Sequence, residues 1–220
     1  MAAPIRVLLV DDHDIVRMGL RGFLSGYDDI EIAGEAANGQ QAVELAAELA
    51  PDIILMDMVM PVMDGIQAIQ AIRDRKLRGN IIVLTSFATD DKVFPAIKSG
   101  AMGYLLKDSA PEDLLKAIRK VHKGEPSLAP DIARKLLAEI SLPDKPETPT
   151  PEPLTPREVD ILRLVAQGKS NKIIAEEVFV SEATVRTHMT NILSKLHLAN
   201  RVQATLYALR EGLASLSLEK

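Results

Sequence analysis

The chain has 220 residues, 47% of them hydrophobic, and a formal net charge of −5. That length accommodates two domains with cores of their own, while no apolar run approaches the roughly 18 residues of a membrane span. Cysteine is absent, which removes disulfides and thiolate metal sites. Arg6 is followed only by the strand-length run Val7–Val10, not by a leader-like segment, so a cytoplasmic protein with no membrane partner is expected.

In chain order, Val7–Val10 ends in Asp11-Asp12, and a weaker run at Ile30–Ala33 would supply an edge strand. Ile53–Met56 ends in Asp57, which opens Asp57-Met58-Val59-Met60-Pro61-Val62-Met63-Asp64-Gly65. Ile81–Leu84 ends in Thr85 and Tyr104–Leu106 ends in Lys107. Five short strands separated by helix-length segments predict a doubly wound parallel α/β sheet. The ligand site of such a sheet lies beyond the carboxyl ends of its strands, where three carboxylates, a hydroxyl and an ammonium would meet. Pro95 falls in the segment before the last strand, and proline is tolerated only in a first helical turn. That helix is therefore predicted to start near Phe94 or to break there.

These residue types suit phosphoryl transfer onto a carboxylate, which needs a nucleophile, a divalent cation and fixed positive charge. Asp57 is the nucleophile in this reading. Asp11 and Asp12 would hold Mg²⁺, a hard ion that takes one or two carboxylates and keeps several waters. Lys107 supplies a mobile positive charge and Thr85 a hydroxyl donor. Singly, each has a plainer role: Asp11 and Asp12 as caps of the next helix, Lys107 as a solvated strand-end lysine. Together, at the ends of four strands, they favour the phosphoryl-accepting pocket. The four histidines, His13, His122, His188 and His197, are scattered without metal-ligand spacing. His13 beside the pocket reads as surface, and Met56, Met58, Met60 and Met63 as packing.

Further along, Asp131–Ile140 carries Ile132, Leu136, Leu137 and Ile140 at helical spacing. Residues 141–153 then hold five prolines, a composition for an extended, semi-stiff tether. Thr155-Pro156-Arg157-Glu158 makes a capping box with proline at the first helical position. Four short helices are predicted after it, at about 156–167, 171–178, 182–196 and 200–211, with Phe179-Val180-Ser181 as a helix-turn-helix turn. Val185, Met189, Ile192, Leu193 and Leu196 form a buried stripe on the third. Its other face carries Arg186, Thr187, Thr190, Asn191 and Ser194, mostly short side chains that let a helix approach base edges, with an arginine suited to guanine. A plain helical bundle with a polar outer face is equally compatible with that spacing. Charge is divided unevenly: 14 basic and 19 acidic residues through Glu125, 3 and 5 over 126–153, 9 and 7 from Leu154 onward. The last part is the one able to approach a polyanion.

Residues 5–124 resemble the receiver domain of bacterial two-component response regulators, through Asp11-Asp12, Met56-Asp57-Met58, Met60-Pro61 with Asp64-Gly65, Thr85, Gly100-Ala101 and Gly103-Tyr104-Leu105-Leu106-Lys107. Leu154-Thr155-Pro156-Arg157-Glu158, Gly168 through Ala175, Val180 through His188, Ile192 through Leu196 and Arg201 resemble the LuxR-type helix-turn-helix. The whole chain is similar to NarL/FixJ-family transcriptional regulators, and Gly124-Glu125-Pro126 through Leu137 leans towards the LiaR/VraR branch. The resemblance implies a receiver at 1–125 with flavodoxin-like strand order 2-1-3-4-5, a linker helix and proline-rich tether at 126–153, and an all-α four-helix DNA-binding domain at 154–220. It implies that the main-chain carbonyl of Val59 joins Asp11, Asp12 and Asp57 around Mg²⁺. It also implies that Thr85 and Tyr104 are a switch pair in which Tyr104 moves inward on phosphorylation.

By the same match Arg186, Thr187 and Thr190 face bases, and Lys169, Asn171, Thr184, Asn191 and Lys195 contact phosphates. Position 190 is often lysine in the family, so Thr190 prevents copying an operator from relatives. The implied partners are a sensor histidine kinase, double-stranded promoter DNA, RNA polymerase and a second copy of the chain. Val16–Leu20 and Leu114–Val121 would meet in a receiver dimer. The last helix would use Thr205 and Ala208 between copies and turn Val202, Leu206 and Leu209 inward. A phosphohydrolase or phosphotransferase on a similar sheet would want a second acid two residues after the nucleophile. Val59 stands there, so a regulator rather than an enzyme is expected; the complete acidic pocket argues against a receiver that works without phosphorylation.

Overall fold

The computed structural model describes residues 3–86, 90–128 and 153–214, with the backbone alone for 90–94. The chain divides into two compact units, Met1–Ala133 and Arg134–Lys220. The expected helix at 131–140 and nearly all of the proline-rich tether lie outside the described residues.

The first unit alternates strand and helix: β1 Ile5–Val10, α1 Asp14–Leu24, β2 Ile30–Ala36, α2 Gly39–Leu49, β3 Ile53–Asp57, α3 Gly65–Asp74, β4 Asn80–Thr85, α4 Asp90–Ser99, β5 Gly103–Leu106 and α5 Pro111–His122. All strand pairs are parallel, in the order β2-β1-β3-β4-β5-β6. The sixth strand, β6 Ser127–Leu128, pairs with Gly103 and Tyr104 of β5. It extends the five-stranded sheet read from the sequence. Two residues form no apolar run to recognise; they pair because β5 would otherwise expose an edge of unpaired backbone groups.

Strand alternation divides the core between the two faces of the sheet. Val7, Leu9, Ile53, Leu55, Ile82, Leu84 and Leu105 pack with Leu24 of α1 and with Leu114, Leu115, Ile118 and Val121 of α5. Leu8, Ile54, Met56, Ile81 and Val83 point the other way and are equally buried, with α2, α3 and α4 lying together on that side. Asn38 caps α2 through its side chain, and Asp64 forms a capping box with Gln67 at α3. Pro95 does not break its helix. α4 runs from Asp90 through Ser99 with the proline inside, and Ala96 and Ile97 just after it are fully buried. Their packing offsets the one backbone donor that proline removes.

The described residues of the second unit form four helices: α6 Pro156–Ala166, α7 Asn171–Glu177, α8 Glu182–Lys195 and α9 Arg201–Arg210. Side chains of Thr155, Ser170, Ser181 and Asn200 cap them in turn, and Thr155 and Glu158 close the capping box. Ile161, Leu162, Val165, Ile174, Val178, Val185, Met189, Ile192 and Leu196 form the core together with Ala204 and Ala208 of α9. Ala208 therefore faces inward rather than out to a partner, and Leu206 stays half-exposed. Small residues at 204 and 208 let α9 approach its neighbours closely, while Val202 is buried and Leu209 packs against the core as expected.

Candidate functional site

The ends of β1, β3, β4 and β5 carry Asp11, Asp57, Thr85 and Lys107 to one place. Parallel register fixes this: Val10 lies opposite Met56, Asp57 opposite Leu84, and Thr85 opposite Leu106. Asp11, Asp57 and Thr85 are almost fully buried. Lys107 Nζ lies 2.6 Å from Asp11 Oδ2 and 2.9 Å from Asp57 Oδ2, so one ammonium bridges both carboxylates. The Met58 N–H donates to Asp57 Oδ1 at 2.7 Å.

Neither aspartate of the acidic pair caps α1. The N-cap residue is His13, and its side chain accepts no bond there; Asp11 Oδ1 instead accepts from the His13 backbone N–H at 2.9 Å. Arg17 NH1 donates to the Asp11 carbonyl at 2.6 Å, and its Nε lies 3.4 Å from Glu35 Oε2. That arginine, unrecognised in the sequence, ties the end of β1 to α1 and β2. Helical spacing three residues after Asp14 was its one visible signal.

Burial pushes the Asp57 carboxyl above its ordinary range, and the neighbouring Asp11 adds to the rise, against the pull of Lys107. Burial would lower Lys107, but its bonds to Asp11 and Asp57 outweigh that and hold it up. One ammonium thus pairs with two of the three carboxylates, and the surplus negative charge in the pocket fits a hard cation. Val59, two residues past Asp57, is exposed, and among the described residues nothing hydrogen-bonds its carbonyl. Tyr104 is fully buried. Its ring is packed inside the sheet in this structure.

The outer face of α8 carries Arg186, Thr187, Thr190, Asn191 and Ser194, all exposed. Thr187 and Thr190 donate their hydroxyls to the carbonyls of Ala183 and Arg186, each at 3.1 Å. They consequently present methyl groups and acceptor lone pairs outward. Several residues expected to contact phosphates are already engaged. Asn171 is buried, and its Oδ1 accepts from Arg201 NH1 at 2.5 Å. Lys195 Nζ pairs with the buried Glu158 Oε2 at 2.8 Å. Lys169 pairs with Glu177 at 2.7 Å, and Thr184 Oγ1 shares a hydrogen bond with the cap Ser181 at 2.8 Å. Asn171 is thereby corrected from a phosphate contact to an internal strut. On the receiver, Leu114, Leu115, Ile118 and Val121 are core residues. Among the exposed apolar residues of the described receiver, Ile15 and Met18 lie on α1, 79% and 53% exposed.

Comparison with known proteins agrees with this geometry. Residues 7–119 match the response regulator receiver domain, and residues 152–208 match the LuxR family of bacterial regulatory proteins. The transcriptional regulatory protein LiaR of Bacillus subtilis is 51% identical over 96% of this chain and 100% of its own length. The nitrate/nitrite response regulator NarL of Escherichia coli K12 is 41% identical over 94% and 96%. Among solved structures, ChrA, a response regulator of a heme-sensing two-component system, has a TM-score of 0.51 at 36% identity, over 96% of this chain and 100% of that one. A complex of the response regulator RcsB with DNA has a TM-score of 0.57 at 27% identity, over 94% and 98%.

Proposed function

Because the chain belongs to the two-component response regulators with a LuxR-type DNA-binding domain, we propose that it is switched by phosphorylation of Asp57 and then binds promoter DNA as a dimer. The observation that carries this is the pocket in which Lys107 bridges Asp11 and Asp57. The phosphoryl donor is a sensor histidine kinase in the cytoplasm. A carboxylate oxygen of Asp57 attacks phosphorus; the new P–O bond forms as the donor's P–N bond breaks, and its electron pair stays on the donor nitrogen. Lys107 then serves the phosphoryl oxygens, and Thr85 donates its hydroxyl to them. Asp11, Asp12, Asp57 and the Val59 carbonyl would hold Mg²⁺, which neutralises charge on the transferring oxygens. The chain is an acceptor rather than an enzyme; a hydrolase would want an acid where Val59 stands.

The second unit reads DNA through α8. Arg186 suits guanine O6 and N7, while the outward methyls and lone pairs of Thr187 and Thr190 suit thymine methyls and base amino groups. A twofold dimer requires a pseudo-palindromic operator with half-sites about 10 bp apart. The α1 face bearing Ile15 and Met18 serves the receiver dimer, and the dimer contacts RNA polymerase from the bound promoter. The receiver extends past the expected boundary at 125 to include Ser127–Leu128 of its sheet, the tether follows, and 154–220 act as the DNA-binding domain. Sedimentation and DNA titration with and without a phosphodonor test the reading. Phosphorylation should raise both self-association and operator affinity; an unchanged oligomer with unchanged affinity would refute it.

A further inference from the structure

We propose that His13 is a metal ligand in the acceptor pocket, giving it an imidazole nitrogen with which to bind Mn²⁺ in preference to Mg²⁺. This rests on the pocket reading above. The sequence places His13 one residue past the acidic pair, with no spacing that suggests a ligand. The structure folds its ring onto the pair: Nδ1 lies 2.8 Å from Asp12 Oδ1 and 3.1 Å from Asp11 Oδ1. The side chain is 65% exposed, so core packing does not put it there; the two carboxylates do.

The separations decide what these atoms can surround. One donor atom from each of Asp11, Asp12, His13 and Asp57 lies within 4.8 Å of the others. Two donors on one ion are at most two bond lengths apart, about 4.2–4.8 Å for bonds of about 2.1–2.4 Å, and donors at right angles are about 3.0 Å apart for the shorter bonds. The set as a whole thus meets the outer limit, while His13 with Asp11 and Asp12 matches the edges of a small coordination shell. Nor does the ammonium compete for the same side. Lys107 sits on the Oδ2 atoms of Asp11 and Asp57, whereas His13 addresses the Oδ1 atoms of Asp11 and Asp12.

Ligand chemistry then separates the two ions. Mg²⁺ strongly prefers oxygen and keeps its waters. First-row transition ions accept imidazole nitrogen, and His13 presents its Nδ1 on the Asp11 and Asp12 side of the pocket. Carboxylates alone make the pocket competent for either ion; the nitrogen adds affinity for one of them.

The test titrates the metal-free full chain with MnCl₂ and with MgCl₂ by calorimetry, for wild type and His13→Ala, with spin-echo spectra of the Mn²⁺-loaded proteins. His13→Ala should weaken Mn²⁺ binding about tenfold, leave Mg²⁺ binding essentially unchanged, and abolish a nitrogen hyperfine coupling seen in wild type. Equal weakening of both ions, or Mn²⁺ bound without nitrogen coupling, would overturn the ligand role. Asp12→Ala provides the separate check on the pocket. If Mg²⁺ binds wild type and is lost in Asp12→Ala, the acceptor reading stands whatever His13 does. If wild type binds neither ion, the acceptor reading falls and the inference falls with it.

Discussion

Lys195→Ala should act first on stability and only through it on DNA binding. Glu158 is 3% exposed and accepts from the Thr155 N–H at 2.8 Å, Thr155 Oγ1 at 2.9 Å and Lys195 Nζ at 2.8 Å. Removing the lysine leaves a buried carboxylate with its cap bonds but without its counter-charge. Breaking a fully buried pair costs about 3–5 kcal/mol, whereas exposed pairs contribute about 0–1 kcal/mol. The Lys195 side chain is 25% exposed, so water replaces part of the ammonium, and a loss of about 2 kcal/mol results. For a unit of this size that lowers the melting temperature by roughly 10 °C.

Scanning calorimetry of the full chain measures it, with the receiver transition as an unmoved internal reference. Adding Glu158→Gln to the variant should recover most of the loss, because it removes the stranded charge and keeps a capping side chain. Burial opposes ionisation of Glu158, but the bonds from Lys195 and Thr155 more than offset it and hold the carboxyl below its ordinary value of 4.5. The stabilisation is therefore present above that value and is lost as pH falls through the depressed folded pKa. The wild type and Lys195→Ala should converge in acid. A variant that melts like wild type, yet binds every duplex more weakly with a salt slope reduced by about one unit, would refute the structural role and make Lys195 a phosphate clamp.

Asp57→Asn should stabilise the metal-free receiver, because the folded pocket raises Asp57 from its ordinary value of 3.8. Wild type should lose ground to the variant as pH rises from that value through the raised folded pKa; identical melting at pH 7 in chelator would contradict this. Saturating Mg²⁺ should reverse the order, adding about 2.7 kcal/mol to wild type at one hundred times the dissociation constant. Val62 is 84% exposed at a φ of +69°, a conformation costly for a β-branched residue. Val62→Gly should therefore gain up to about 1 kcal/mol in denaturant titration, and a loss would show that the loop needs the side chain. Arg186→Ala should cost about 1–3 kcal/mol on the operator and relax its preference. An equal loss on operator and scrambled duplex would make Arg186 a phosphate contact.

The acidic pocket was legible because parallel strands end where their apolar runs end. Asp11, Asp57, Thr85 and Lys107 each follow such a run, so position along the chain translated directly into position in space. The second unit shows where that translation fails. Lys195, Asn171 and Lys169 look like free polar residues in sequence, yet their partners Glu158, Arg201 and Glu177 stand 37, 30 and 8 residues away. No local pattern announces an ion pair across a helical bundle. Ala208 misled for a related reason: a small residue reads as indifferent to burial, whereas close helix packing requires it. His13 was discounted for its exposure, which the structure retains while placing the ring on both carboxylates.

The most direct test of the account is the intact mass of wild type and Asp57→Asn after incubation with acetyl phosphate and Mg²⁺. Wild type should gain a single phosphoryl group and Asp57→Asn none, with operator affinity rising only in the sample that gained it. Full phosphorylation of Asp57→Asn would place the acceptor elsewhere and contradict the claim that the Lys107-bridged pocket is the switch.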